Sequence, residues 1–386
     1  MNRVRVLHVI TRLDRGGSAE NTLLTVAEAN RARFDVSLAS GPTQGPSSPT
    51  EARAREVGEY IDIPDLVRAI RPLNDLRALW QLYRLMQRGR YDIVHTHTSK
   101  AGLLGRLAAY FARVPIVVHT PHGHVFYGYY GPWVSGLFVR LERWAASMCD
   151  RIIALTSKGA EDHIELGVAL RRKFVVIHSG IEFPESFALG QGREELRAEW
   201  GIGADALVVG TLGRLTAIKG QRDLIEAFSL LCGQVPDAYL LLVGDGEERM
   251  DLVGLAKNLG VGSRVIVVGW REDIYAALAT MDLFALPSIN EGMGKALVEA
   301  MYAGLPCVAT RVGGVPELVE DGKEGFIVSA AAPRELADAL LKLLLDESLR
   351  ARCGAAGRRR ATAYSAAEMI RKIEALYEDI LQEKGL

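Results

Sequence analysis

Cysteine is scarce and scattered. Cys149, Cys232, Cys307 and Cys353 are the only four in 386 residues, and no two form a Cys-x-x-Cys pair. That excludes a disulfide framework and a thiolate zinc site, and predicts buried free thiols in a reducing compartment. No uninterrupted apolar run reaches membrane-spanning length, so no transmembrane helix is expected. The opening run, Met1 to Ile10, is too short and too interrupted for a signal peptide and reads as the approach to a strand. The expected location is cytoplasmic, with peripheral attachment to the inner face of a membrane left open. Net charge is almost absent as well, at −1, and no nucleic-acid partner is expected. The balance hides an asymmetry. Residues 1–180 hold 24 Lys and Arg against 16 Asp and Glu, and the remainder 22 against 31. A basic first half suits an anionic membrane surface or a phosphorylated lipid, and an ordinary surface bias explains it equally well. The dinucleotide fingerprint Gly-x-Gly-x-x-Gly is missing too.

What is present is repetition. At this length two domains are the default. Apolar runs alternate with amphipathic ones: Val4 to Ile10, Asp35 to Ala39, Ile93 to His97 and Ile116 to Pro121 read as strands with helices between them. The second half repeats the scheme at Leu207 to Leu212, Ala238 to Val243, Val265 to Val268, Asp282 to Leu286, Cys307 to Thr310 and Gly325 to Val328. Strand, helix, strand in this order predicts parallel sheets with helices on both faces. Ligands in such sheets gather beyond the carboxyl ends of the strands.

Three stretches at those ends carry chemistry. Gly16-Gly17 lies between the first strand and its helix, where backbone amides face a phosphate. Gly213-Arg-Leu-Thr-Ala-Ile-Lys-Gly220 follows the first strand of the second half and places Arg214 and Lys219 beside free amides, an arrangement that neutralises a diphosphate. Glu291-Gly-Met-Gly-Lys-Ala-Leu-Val-Glu299 follows a buried strand. Gly292 and Gly294 admit a ligand to the main chain where a helix begins, and two carboxylates flank its donor-rich start. A carboxylate accepts two hydrogen bonds at once, as the vicinal hydroxyls of a sugar require. Taken alone, those nine residues read more readily as an ordinary helix start with an exposed glutamate.

A fourth cluster is His95, His97, His119, His122 and His124, five of the eight histidines. One reading is a metal site, but no Cys or clustered Asp supports it. Structural hydrogen bonding is the plain reading for His119. The run from Val125 to Trp133, with Arg140, Arg143 and Trp144 beyond it, reads either as an acceptor cleft or membrane-interface patch, or as a loop feeding a half-buried helix. Trp270 reads more readily as a buried residue than as an exposed stacking one.

The chain resembles the retaining glycosyltransferases of family 4, which have the GT-B fold. The resemblance rests on the Glu-x7-Glu pattern of Glu291 and Glu299, on Glu299-Ala-Met-Tyr-Ala-Gly-Leu-Pro-Cys-Val-Ala-Thr, on Gly313-Gly-Val-Pro-Glu-Leu-Val-Glu-Asp-Gly322, and on the Arg214 to Lys219 loop. Met293 stands where the family usually has Phe. The resemblance implies an α/β GT-B chain of two doubly wound, Rossmann-like parallel-sheet domains facing across a cleft. It implies an acceptor-side domain over residues 1–182, a linker over 183–193, a nucleotide-sugar domain over 194–364 and a returning helix over 365–386.

By the same resemblance, His122, Glu291, Arg214 and Lys219 are the catalytic set. Gly16, Gly17, Arg214, Lys219, Gly292, Met293, Gly294, Leu297 and Glu299 bind the donor, with Glu299 on the ribose. No cofactor and no metal are expected, and the absence of any Asp-x-Asp fits a site whose positive charge comes from Arg214, Lys219 and helix amides. The implied partners are a nucleotide-sugar, with UDP favoured over GDP-mannose, and a saccharide or lipid-linked saccharide acceptor in surface polysaccharide synthesis. A nucleotide-sugar epimerase of the same fold and a catalytically idle binding protein are the rival readings. Intact Arg214, Lys219, Glu291 and Glu299 weigh against both.

Overall fold

The computed structural model describes residues 3–14, 16–43, 49–122, 132–184 and 192–386. They form two units, Met1–Gly180 with Ala366–Leu386, and Ile181–Ser365. Most of the 183–193 linker therefore lies outside the described residues, as do Arg15, His124 and the aromatic stretch 125–131.

The first unit runs β1 (Val4–Ile10), α1 (Gly17–Ala27), β2 (Phe34–Ser40), α2 (Pro49–Glu56), β3 (Glu59–Asp62), α3 (Pro72–Gly89), β4 (Ile93–His97), α4 (Ser99–Ala112), β5 (Ile116–Thr120), α5 (Pro132–Ala146), β6 (Arg151–Ala154), α6 (Ser157–Glu165) and β7 (Phe174–Val176). Its seven strands are ordered β3-β2-β1-β4-β5-β6-β7 and every pair is parallel. Side chains alternate across each strand, so β1 feeds two cores. Val6 and Ile10 pack into one apolar cluster with α1, and Leu7 and Val9 into another with α3 and α4.

The second unit runs α7 (Arg193–Glu199), β8 (Leu207–Leu212), α8 (Gln221–Leu231), β9 (Ala238–Val243), α9 (Arg249–Asn258), β10 (Val265–Gly269), α10 (Ile274–Ala279), β11 (Leu283–Leu286), α11 (Lys295–Tyr302), β12 (Cys307–Thr310), α12 (Val315–Leu318), β13 (Gly325–Val328), α13 (Pro333–Leu345) and α14 (Glu347–Ala361). Its six strands are ordered β10-β9-β8-β11-β12-β13, again all parallel. Helix α15 (Ala366–Lys384) then rejoins the first unit. Its Met369, Ile370, Ile373, Leu376 and Tyr377 are buried with Val6 and Ile10 of β1.

In both sheets the strand order reverses once, between β1 and β4 and between β8 and β11. At such a point the two flanking connections leave in opposite directions and open a crevice at the carboxyl ends of the strands. The two-domain α/β architecture expected from the sequence is present. The four cysteines are buried and free.

Candidate active site

In the second unit the β8 and β11 loops meet at the reversal point. The first covers residues 213–220 and ends in a short 3-10 turn, Ala217–Lys219, before α8. The second covers residues 287–294 and ends at α11. The Ile289 amide donates to the Ile218 carbonyl at 2.9 Å and ties them together. Two glycines make that approach possible. Gly220 has φ 66°, and a Cβ there would strike the Pro287 carbonyl oxygen. Gly313, at φ 49°, lets the next strand connection close on the Glu291 carbonyl oxygen.

On this frame Lys219 Nζ donates to Glu291 Oε2 at 2.6 Å, and Ser288 Oγ donates to the same oxygen at 3.0 Å. Lys219 is 28% exposed and Glu291 13%. A cation and a carboxylate drawn from loops seventy-two residues apart thus share one half-buried point. Arg214 is held differently. Its carbonyl accepts from the Gln221 side chain at 3.0 Å, while its guanidinium, 73% exposed, lies 4.0 Å from Glu247. The structure brings Lys219 and Glu291 together and leaves the Arg214 side chain in solvent.

Gly294 caps α11 in the left-handed conformation and its carbonyl accepts from the Leu297 amide at 3.0 Å, which leaves the Lys295 and Ala296 amides at the open start of the helix. Gly292 is exposed, whereas the Met293 and Leu297 side chains are buried in the core. Those two residues therefore have only main-chain groups for a ligand. Glu299 is half-buried one turn into the helix. Burial pushes the Tyr275 phenol upward, and the negative charge of Glu299 adds to that. Trp270 is 58% exposed, which overturns the expectation of burial. The β10 loop turns its indole outward, beyond the end of the sheet.

In the first unit the reversal point is filled by imidazoles. His8 and His95 are register partners on β1 and β4. His95 and His97 alternate with Thr96, so they share a face and their rings lie 4.2 Å apart. His97 Nδ1 is 2.9 Å from His122 Nε2, and His97 Nε2 is 2.9 Å from His8 Nδ1. His95 joins Tyr377 of α15 at 2.6 Å and Thr120 at 2.8 Å. His119 points to the opposite face of the sheet and bonds to Thr96. It belongs to the packing of α4 and α5, near the ion pair of Arg106 with Glu142.

Burial keeps these rings neutral. It lowers His8 to about 3, with the charge of Arg31 adding to it, and lowers His122 to about 3. His95 and His97 lie well below the ordinary histidine range, first through burial and then through neighbouring imidazoles. One nitrogen each of His8, His95 and His97 lies within 4.8 Å of the others, close enough to be drawn onto one cation. Each of those rings is hydrogen-bonded at both nitrogens, so a metal would have to break several of these bonds. Sequence reasoning missed His8 and Tyr377. The signal for His8 was a polar residue inside the apolar run of the first strand.

Gly16 and Gly17 open α1 at the same end of the sheet, and the Gly16 carbonyl accepts from the Glu20 amide at 3.1 Å.

The glycosyl transferases group 1 family matches residues 192–360, and the glycosyl transferase 4-like domain matches residues 16–180. The chain is similar to the UDP-Gal:alpha-D-GlcNAc-diphosphoundecaprenol alpha-1,3-galactosyltransferase of Escherichia coli, at 32% identity over 337 residues, covering 84% of this chain and 87% of that one. It is also similar to the capsular polysaccharide biosynthesis glycosyltransferase CapM of Staphylococcus aureus, at 28% identity over 84% and 86% of the two chains. Among solved structures, Anabaena HepE in complex with UDP superposes with a TM-score of 0.81 at 23% identity, over 97% of this chain and all of that one.

Proposed function

The chain belongs to the GT-B glycosyltransferases of family 4, and on that premise we propose that it moves a hexosyl group from a UDP-sugar to a lipid-diphosphate-linked saccharide in surface polysaccharide synthesis. The observation that carries this reading is the convergence of Lys219 and Glu291 at the β8/β11 reversal point. The name of the Escherichia coli relative supports UDP and a diphosphate-linked acceptor.

In this reading the donor diphosphate lies over residues 213–220, held by Lys219, Arg214 and the first-turn amides of α11. An ammonium carries three protons, so Lys219 can keep Glu291 and still donate to phosphate oxygens. The exposed Arg214 guanidinium swings in from solvent and binds two oxygens at once. Glu299 takes the ribose hydroxyls. Glu291 and the amides of Gly292, Met293 and Gly294 take the sugar ring. Gly16 and Gly17 are assigned to donor binding and His122 to the chemistry.

Transfer retains the anomeric configuration. The bond from the anomeric carbon to the phosphate oxygen breaks, and the acceptor oxygen attacks on the same face. Its proton passes to the departing phosphate. Charge grows on that phosphate, so Lys219 and the helix amides act most strongly in the transition state. No metal is needed for this charge balance.

Peripheral membrane attachment is part of the proposal. Trp133, Leu137, Leu141 and Trp144 form one stripe along α5, all exposed, with Trp133 at 93%. Arg140 and Arg143 are exposed beside them, while Glu142 turns inward to Arg106. An apolar stripe flanked by arginines suits an anionic bilayer surface. The donor site is tested by calorimetric titration of UDP, GDP, ADP and NAD in EDTA. Tight binding of one nucleoside diphosphate that Lys219→Ala weakens supports it. Binding that needs metal, or that prefers NAD, refutes it.

A further inference from the structure

The imidazoles of the first unit form an unbroken chain whose two ends differ. It runs from Thr120 to His95, Tyr377, His8, His97 and His122. Every histidine in it is neutral at physiological pH, because burial depresses all four. A neutral imidazole has one N–H and one bare nitrogen. Each ring that donates on one side must therefore accept on the other, and the chain as a whole has a direction. The outer end is His122 Nδ1, which is shielded from solvent and has no partner among the described residues.

Tyr377 fixes the direction. Its oxygen lies 2.6 Å from His95 Nδ1 and 3.5 Å from His8 Nε2. The shorter distance belongs to an O–H donor, since N–H donors to oxygen stand nearer 2.9 Å. A phenol is also a stronger proton donor than a neutral imidazole. Tyr377 therefore donates to His95, and His95 Nε2–H donates to Thr120. The phenol oxygen is left to accept from His8 Nε2–H across the longer gap. His8 Nδ1 then accepts from His97 Nε2–H, and His97 Nδ1 from His122 Nε2–H.

We propose that Tyr377, acting through His8 and His97, holds His122 as the Nε2–H tautomer and so presents a bare Nδ1 as a hydrogen-bond acceptor for a sugar or acceptor hydroxyl. Tyr377, His8 and His97 are positioning residues, and α15 is part of the site as well as of the core. The use of this acceptor in transfer rests on the function proposed above, whereas the tautomer itself does not. His122 has φ 58°, a backbone conformation that a non-glycine residue seldom adopts, and it brings Nε2 onto His97. Strain of that kind is retained where surrounding contacts over-determine it.

The test uses the full chain labelled with 15N-histidine, in long-range 1H–15N correlation spectra at pH 7.5. His122 signals are assigned by their loss in His122→Ala. The expected wild-type pattern is a bare Nδ1 and a protonated Nε2. A protonated Nδ1, or an averaged mixture, overturns the proposal. Tyr377→Phe should convert the single tautomer into a mixture, and an unchanged His122 pattern in that folded variant overturns the role given to Tyr377. If Tyr377→Phe does not fold, His97→Leu makes the same cut beside His122, and the wild-type spectrum alone still decides the direction. Turnover of Tyr377→Phe should fall about 10- to 100-fold with UDP affinity unchanged. A shifted tautomer with unchanged turnover would uphold the tautomer assignment and remove His122 from the proposed chemistry.

Discussion

The two units share one plan and fill it with opposite chemistry. Each is a parallel sheet whose strand order reverses once, and each gathers polar residues at that reversal. In the first unit these residues sit mainly in the strands. His8, His95 and His97 are almost wholly buried and neutral, with His8 bonded to His97 and His95 joined to His8 through Tyr377. In the second they sit in the loops beyond the strands, and they are charged: Lys219, Glu291 and the solvent-facing Arg214. The difference follows from desolvation. A charge within a buried strand is costly, whereas a neutral imidazole with both nitrogens bonded is tolerated. Charges that must reach a ligand therefore ride on loops, and groups that must hold one geometry are built into the sheet.

The largest effect expected from breaking this contrast is on the charged side. Lys219→Ala should lower turnover by about 10²- to 10³-fold, the cost of losing one preorganised donor at a developing charge. Initial-rate measurements at saturating donor check it, and a loss under tenfold would detach Lys219 from the leaving group. Glu299→Ala should weaken UDP by about 10- to 100-fold, equivalent to about 1.5–3 kcal/mol for hydrogen bonds to a charged group. Titration with UDP and with 2′,3′-dideoxy-UDP sharpens it, since the variant should bind both alike.

On the neutral side the contrast shows in pH dependence. His8 and His122 are lowered to about 3 when folded, against 6.5 as the ordinary value. The unfolded chain therefore binds more protons between those limits. Stability is full above about pH 6.5 and falls as the pH drops, by about 1.4 kcal/mol per pH unit for each such histidine. Urea unfolding between pH 7.5 and 5.5 measures it, with a flat profile counting against buried neutral rings. The smallest effect is at the surface. Trp133→Ala with Trp144→Ala should weaken co-sedimentation with phosphatidylserine vesicles several-fold while leaving UDP binding intact.

Much of this was legible in sequence because it is local. The strands from Leu207 to Leu212 and from Ala238 to Val243 are apolar runs bounded by turn residues, and they lie where the pattern puts them. The Arg214 to Lys219 and Glu291 to Glu299 loops could be picked out because glycine and charge cluster there. β3 and α2 could not. β3 has four residues at the sheet edge and buries none of them fully, so it lacks the apolar period that marks an inner strand. Nor could the link from the histidine cluster to Tyr377 be read, because Tyr377 meets His8 and His95 across 369 and 282 positions of chain. Pairing of that kind is set by topology and leaves no mark in local spacing. The Lys219 to Glu291 contact was inferable only as two halves of a resemblance, and their direct bond emerged from the crossing of two loops.

The return of residues 366–386 to the first unit has a consequence for synthesis on the ribosome. The strands of that unit emerge first, but the face of β1 carrying Val6, His8 and Ile10 is covered only in part, by α1, until α15 arrives. The whole second unit is translated in between, which takes roughly 10–40 s at about 5–20 residues per second. The unit begun first is thus the last to be finished, and the nascent chain carries a half-closed core that needs shielding for the length of that delay.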